Sequence, residues 1–176
     1  MIVVYILLGI LALLILLAII APKEYEFKRS IIIDKPVSEV FQYVKLVKNQ
    51  DYWSPWKKRD PNMKQSFTGT DGTIGFISKW ESDHKQVGAG EQEIKNIIDK
   101  ERVETELRFL KPWKSVSNAY LITNGVDDSK TEVIWGFKGV NKVPFNIMML
   151  VYNMDKAVGK DFEEGLTSLK ELLEQK

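Results

Sequence analysis

Residues 101–110 read ERVETELRFL. Val103, Thr105, Leu107 and Phe109 fall on one face of an extended chain, and Arg102, Glu104, Glu106 and Arg108 on the other. Successive side chains of a strand point to opposite faces, so this alternation marks a sheet with one dry face and one wet face. The dry face must be covered by another part of the same chain.

Working outward from this strand, the flanking stretches repeat the pattern. GEQEIKNII (90–98) joins it through Asp99-Lys100, a polar break that suits a hairpin. TIGFISKWES (73–82) sets Ile74, Phe76, Ser78 and Trp80 against Thr73, Gly75, Ile77 and Lys79. Downstream, SVSNAYLITNG (115–125) and KTEVIWGFKG (130–139) form a further pair around VDDSK, with Thr131, Val133, Trp135 and Phe137 on a single face. RSIIIDKP (29–36) is a β-branched run stopped by Pro36 and reads as a first strand. The expected sheet is antiparallel, with six or seven strands.

Two segments change period. In PVSEVFQYVKLVKNQ (36–50), Val37, Val40, Phe41, Val44 and Val47 share a helical face behind a proline tolerated at a helix start. After Pro144, apolar residues from Phe145 to Leu173 recur every three or four positions, a helix of roughly 45 Å if continuous. Asp155 and Lys156 interrupt that stripe. Gly159 and Gly165 each cost about 1 kcal/mol in a helix interior, which predicts close approach to another group. A curved sheet wrapped around the last helix buries both one-sided faces, so the fold class is α+β.

Ahead of this domain, Ile2 to Ala21 is a run of uncharged, almost wholly apolar residues closed by Pro22 and Lys23. As a helix it spans roughly 30 Å, the thickness of a bilayer's hydrocarbon core. A cleaved signal peptide would need a basic n-region and small residues at the cut, whereas no Lys or Arg stands ahead of this run. The reading is a transmembrane anchor over 1–22, a linker over 23–28 reaching at most roughly 25 Å from Pro22 to Lys28, and a domain over 29–176. Lys23, Lys28, Arg29 and Lys35 follow the helix, which by the positive-inside rule places the domain in the cytoplasm.

DYWSPWKKRDPN (51–62) places Trp53 and Trp56 around Pro55 where the first helical segment ends. The two rings either plug the open end of the core or form a lid that contacts a ligand.

The strings IIIDKPVSEVFQYV, YWSPW, GTDGTIG, GAGEQEI, TEVIW and MDKAVGKDFEEGLTSLK, in this order, resemble the START-like (SRPBCC) helix-grip superfamily, and within it the polyketide cyclase/dehydrase-like branch. The resemblance runs from about Arg29 to Lys170 and extends to members with one N-terminal anchor. It implies a sheet gripping the C-terminal helix, with a cavity for an apolar ligand between them and the short helices at its mouth. It does not imply an activity, since the superfamily includes lipid carriers, cyclases and chaperone co-activators.

The remaining residues narrow the function. Lys plus Arg number 25 and Asp plus Glu 24, interleaved without a basic stripe, so nucleic acid is not an expected partner. His84 is the sole histidine, in a polar loop, and there is no cysteine, so neither a metal site nor a nucleophile triad is expected and no cofactor is called for. GTDGTIG matches neither a dinucleotide fingerprint nor a P-loop and reads as a turn. Acid–base work would fall to Asp155, Tyr120 or Tyr152, with Glu91 and Glu93 expected on the wet face. The expected pocket is lined by Trp53, Trp56, Phe76, Trp80, Leu107, Phe109, Tyr120, Trp135 and Phe137, with Met148, Met149 and Tyr152 on the facing helix. The sequence thus predicts a membrane-tethered module binding a hydrophobic small molecule or lipid. The alternatives are an enzyme of the cyclase, dehydratase or hydrolase type, or an interaction domain with a filled core and a protein partner.

Overall fold

The computed structural model describes residues 1–151 and 153–175; Tyr152, a pocket candidate, lies outside the described residues. Helix α1 (Ile2–Ile20) leads into strand β1 (Glu24–Ile33). Three short helices follow, α2 (Val37–Val44), α3 (Gln50–Trp53) and α4 (Pro55–Arg59). Six more strands come next: β2 (Lys64–Thr68), β3 (Ile77–Glu81), β4 (Ala89–Ile98), β5 (Arg102–Lys111), β6 (Ser115–Asp127) and β7 (Lys130–Val140). A 3-10 segment (Phe145–Leu150) precedes helix α5 (Met154–Glu174). The strands form one antiparallel sheet in the order β1-β7-β6-β5-β4-β3-β2.

Two expectations are corrected here. Of the linker expected at 23–28, all but Lys23 is already strand: Glu24 pairs with Val140 and Phe27 with Phe137. Tyr25 and Phe27 turn inward while Glu24, Glu26 and Lys28 turn to water, the same period-2 device as in β5. The last helix begins at Met154 and not at Phe145. Asn153 caps it, its side-chain oxygen accepting from the Lys156 N–H at 2.8 Å.

α5 lies across the concave face, fixed to β1 at several points along its length. Arg29 donates to Asp155 (2.8 Å) and Glu163 (2.6 Å), the Lys170 ammonium donates to the Ile32 carbonyl (2.7 Å), and Glu174 accepts from the Asp34 N–H (2.7 Å). The core beneath it is Ile33, Val40, Val44, Trp53, Leu121, Val133, Leu166, Leu169 and Leu173, all buried. A second buried cluster, Phe41, Val47, Phe76, Ile94 and Val103, fills the space between α2 and the β4–β5 hairpin.

The register of the strands fixes where the sheet is packed and where it is hollow. One end carries the start of β1, the end of β7, the start of β6, the end of β5 and the start of β4. The other end carries Ile33, Thr131 and the Asp99–Glu101 turn. Both core clusters lie toward this second end, so along β5 Val103 is packed and Leu107 and Phe109 are left for other company.

Candidate functional site

The hollow half of the grip holds a cavity of about 360 Å³. Its walls come from the inward positions of β1, β5, β6 and β7, from the first half of α5 (Val158 and Phe162), and from α4. Aromatic side chains dominate: Phe27 and Phe137 lie 5.2 Å apart centroid to centroid, Phe137 and Phe109 6.3 Å, and Phe109 and Trp80 6.1 Å. Small residues in β6, Ser117 and Ala119, leave the room that these rings do not fill. A volume of this size with apolar walls and a few polar groups is the usual form of a small-molecule site.

The polar groups form a short chain on one side of the cavity. The Lys57 ammonium donates to Gln65 Oε1 (2.8 Å), and Gln65 Nε2 donates to Asp51 Oδ1 (2.8 Å). Gln92 Nε2 donates to Thr105 Oγ1 (3.1 Å), and Trp80 Nε1 to the Val87 carbonyl (3.2 Å). Such a strip can bind the polar head of a ligand whose body is apolar.

The two tryptophans around Pro55 have different environments. Trp53 is fully buried and meets Trp135 edge-on at 4.9 Å, so it plugs the core beside α5. Trp56 is half-buried, meets Trp135 at 5.7 Å and Phe162 at 6.1 Å, and shows a face to the cavity. Trp135 itself stacks flat on Phe162 at 4.1 Å. Gly165 is the close approach expected from sequence: a Cβ there would sit 2.8 Å from the Trp135 ring and 3.2 Å from Pro55 Cδ. Gly159 does the same under the Arg29 guanidinium.

Of the twelve pocket candidates, Trp56, Trp80, Leu107, Phe109, Trp135 and Phe137 line the cavity. Trp53 and Phe76 face the sheet interior but are consumed by the two packed clusters. Tyr120 points the other way: its ring lies over Gly136 on the convex face, and its hydroxyl donates to Glu26 (2.6 Å). Partial burial, then the Glu26 carboxylate, push that phenol up to about 12, and its position on the convex face keeps it out of the cavity. Met148 and Met149 lie in the 3-10 segment, outside the cavity wall, with Met148 exposed. Sequence reasoning missed Tyr25, Phe27, Val158 and Phe162, which line the cavity, and the polar strip of Asp51, Lys57 and Gln65.

The candidate acids are engaged elsewhere. Asp155 pairs with Arg29, whose hydrogen bond holds the carboxyl below its ordinary value. Glu91 and Glu93 lie on the convex face beside Arg108, which donates to both (2.5 and 2.7 Å) and depresses both. His84 is exposed in the β3–β4 loop, and no group of three or more potential metal ligands occurs among the described residues.

At its N-terminal end the domain is joined to a helix that is long and apolar enough to cross a membrane. The side-chain amide of Asn146, from the 3-10 segment, donates to the carbonyls of Ala18 (2.8 Å) and Ala21 (3.0 Å). The last carbonyls of a helix lack partners within it, and here a fully buried asparagine supplies them.

A seven-stranded antiparallel sheet curved around a C-terminal helix, with a hollow between them, is the helix-grip fold. Solved structures similar to this chain share it. They include the Aha1 dimer from Colwellia psychrerythraea (14% identity, 85% of this chain and 96% of that one, TM-score 0.59) and Ara h 8.0201 (11%, 87% and 99%, 0.56). A norcoclaurine synthase point mutant from Thalictrum flavum, in complex with a transition-state analogue, also matches (6%, 85% and 96%, 0.60). No family model and no curated protein matches the chain.

Proposed function

We propose that this chain is a membrane-tethered module that takes a hydrophobic small molecule or lipid into the grip cavity. The observation that carries the reading is the cavity itself: about 360 Å³ walled by Trp56, Trp80, Phe109 and Phe137 in a fold whose other half is tightly packed. The Lys57–Gln65–Asp51 strip favours an amphiphile, its body among the rings and its head on the strip. The ordered strings quoted above support a place beside the polyketide cyclase/dehydrase-like branch. α1 is the tether. Its length suits a bilayer, and Asn146 supports its retention, since a segment removed by a peptidase would leave that buried amide without its two acceptors. The lysines that follow α1 favour the cytoplasmic side for the domain.

Native mass spectrometry of the full chain released from detergent, followed by extraction, tests the reading. A bound apolar species is expected, as is a raised melting temperature on adding fatty acid or a fluorescent aromatic probe. A chain that carries nothing and is shifted by neither would refute it.

A further inference from the structure

We infer that the hollow end of the grip sits in the membrane interface, seated by two exposed apolar elements: the Trp113 loop and the segment Val143–Val151. This rests on α1 being a membrane anchor and adds where the cavity points. β1 begins three residues after Ala21, and Asn146 fixes the end of α1 against the 3-10 segment, so the domain is docked on its helix and does not swing on a leash. By the strand register, the end of the sheet that meets α1 is the end that carries the cavity.

At that same end the β5–β6 loop presents Trp113, 81% exposed, between Lys111 and Lys114. The chain after β7 presents Phe145 (69% exposed), Met148 (60%) and Val151 (86%) behind Lys142. In water these side chains would be a liability; at a bilayer surface tryptophan and short apolar segments with flanking lysines are favoured. Charge agrees. The loops at this end carry Lys23, Lys85, Lys114 and Lys142 against Asp60 and Asp83, whereas the turns at the far end carry Asp34, Asp99, Glu101 and Asp128 against Lys35 and Lys100. A lipid surface bearing anionic headgroups is the partner that fits an apolar patch ringed by lysine and continuous with a spanning helix. The cavity would then open onto the layer its ligand comes from, since Ser115 at the start of β6 and Val87 in the β3–β4 loop line it on this side.

The chain has no cysteine, so single cysteines can be placed and spin-labelled without a background. The full chain is reconstituted in vesicles of phosphatidylcholine with phosphatidylglycerol, with labels at Trp113→Cys, Met148→Cys, Leu8→Cys, and at the exposed far-end positions Ile98→Cys and Val126→Cys. Collision with oxygen, which concentrates in lipid, is compared with collision with a water-soluble nickel chelate. The expected result is oxygen dominant at 8, 113 and 148 and nickel dominant at 98 and 126. Nickel dominance at 113 and 148 with oxygen dominance at 8 overturns the inference and leaves the anchor standing. Protection from both reagents at 113 and 148 overturns it too, because the patch then meets protein, such as a second copy. Nickel dominance at 8 removes the anchor and this inference with it.

Discussion

Replacing Trp53 and Trp56 singly by alanine separates packing from ligand contact. Trp53 is fully buried, and an indole removes up to about 250 Å² from water, worth roughly 6 kcal/mol as an upper bound at about 25 cal/mol per Å². Measured aromatic truncations in cores cost about 3–5 kcal/mol, and the lost edge contact with Trp135 belongs within that range. Trp56 is half-buried and borders an existing cavity, so its removal forfeits about half the area, creates little new void, and should cost about half of the lower core values: about 1.5–2 kcal/mol. With a urea slope of about 2 kcal/mol per M, the midpoint should fall by about 2 M for Trp53→Ala and by less than about 1 M for Trp56→Ala. The affinity for a fluorescent fatty acid should do the reverse, weakening by about tenfold for Trp56→Ala and hardly at all for Trp53→Ala under conditions where it remains folded. Far-UV circular dichroism follows unfolding and fluorescence titration follows binding, both on the full chain in nanodiscs. Equal midpoint shifts, or a Trp53→Ala chain as stable as the parent, would refute the division of labour between the two rings.

Ala119→Leu places a larger side chain into the cavity and should abolish probe binding while leaving the urea midpoint unchanged or raised, since it fills a void in place of a packed site. Asn146→Leu deprives the Ala18 and Ala21 carbonyls of their donor, at about 1–3 kcal/mol each; a spin-label pair on α1 and β7 should then report a broadened distance distribution. Gly165→Ala gains up to about 1 kcal/mol of helix propensity but drives a methyl into Trp135 and Pro55, so a net loss of roughly 1 kcal/mol is expected in thermal melts. Acid should destabilise the domain. Arg108 and Arg29 hold Glu91, Glu93 and Asp155 below their ordinary values. Their contribution is therefore fully present above the unfolded carboxylate range and is lost as pH falls through the lower folded values; urea midpoints below about pH 4 should drop progressively.

The period-2 stretches and α2 were legible because each carries a one-sided pattern, and the glycines of α5 announced their contacts because nothing else explains them in a helix. What the pattern could not supply was position along a strand. Phe76 and Phe109 sit on the same face of the sheet, yet only the register shows that one is packed between α2 and β4 while the other borders the hollow. Tyr120 was misplaced because β6 has apolar residues on both faces, Leu121 inward and Ile122 outward, so alternation gave no sign. The apolar run at 145–151 imitated the stripe of α5 although it is a separate 3-10 segment, since apolar spacing does not say what an apolar residue is for. The first residues of β1, Glu24, Tyr25, Glu26 and Phe27, alternate in the same way but read as a linker because the helix before them dominates the pattern. Asn146, a lone polar residue within that run, was the readable clue to the docking of α1.

The pairing of β1 with β7 also sets an order of events during synthesis. β2 through β7 pair with neighbours in sequence and can form hairpins as they emerge. β1 cannot pair until its partner has been made roughly a hundred residues later, an interval of about 5–20 s at ordinary translation rates. With α1 already in the bilayer, as proposed, this strand waits at the lipid surface, its alternate charges at Glu24, Glu26 and Lys28 discouraging wrong partners. The sheet therefore closes last at its membrane-bound edge. Tyr25 and Phe27 then complete the sheet's side of the cavity, leaving α5 with Val158 and Phe162 to close over it, and lipid is at hand when it does.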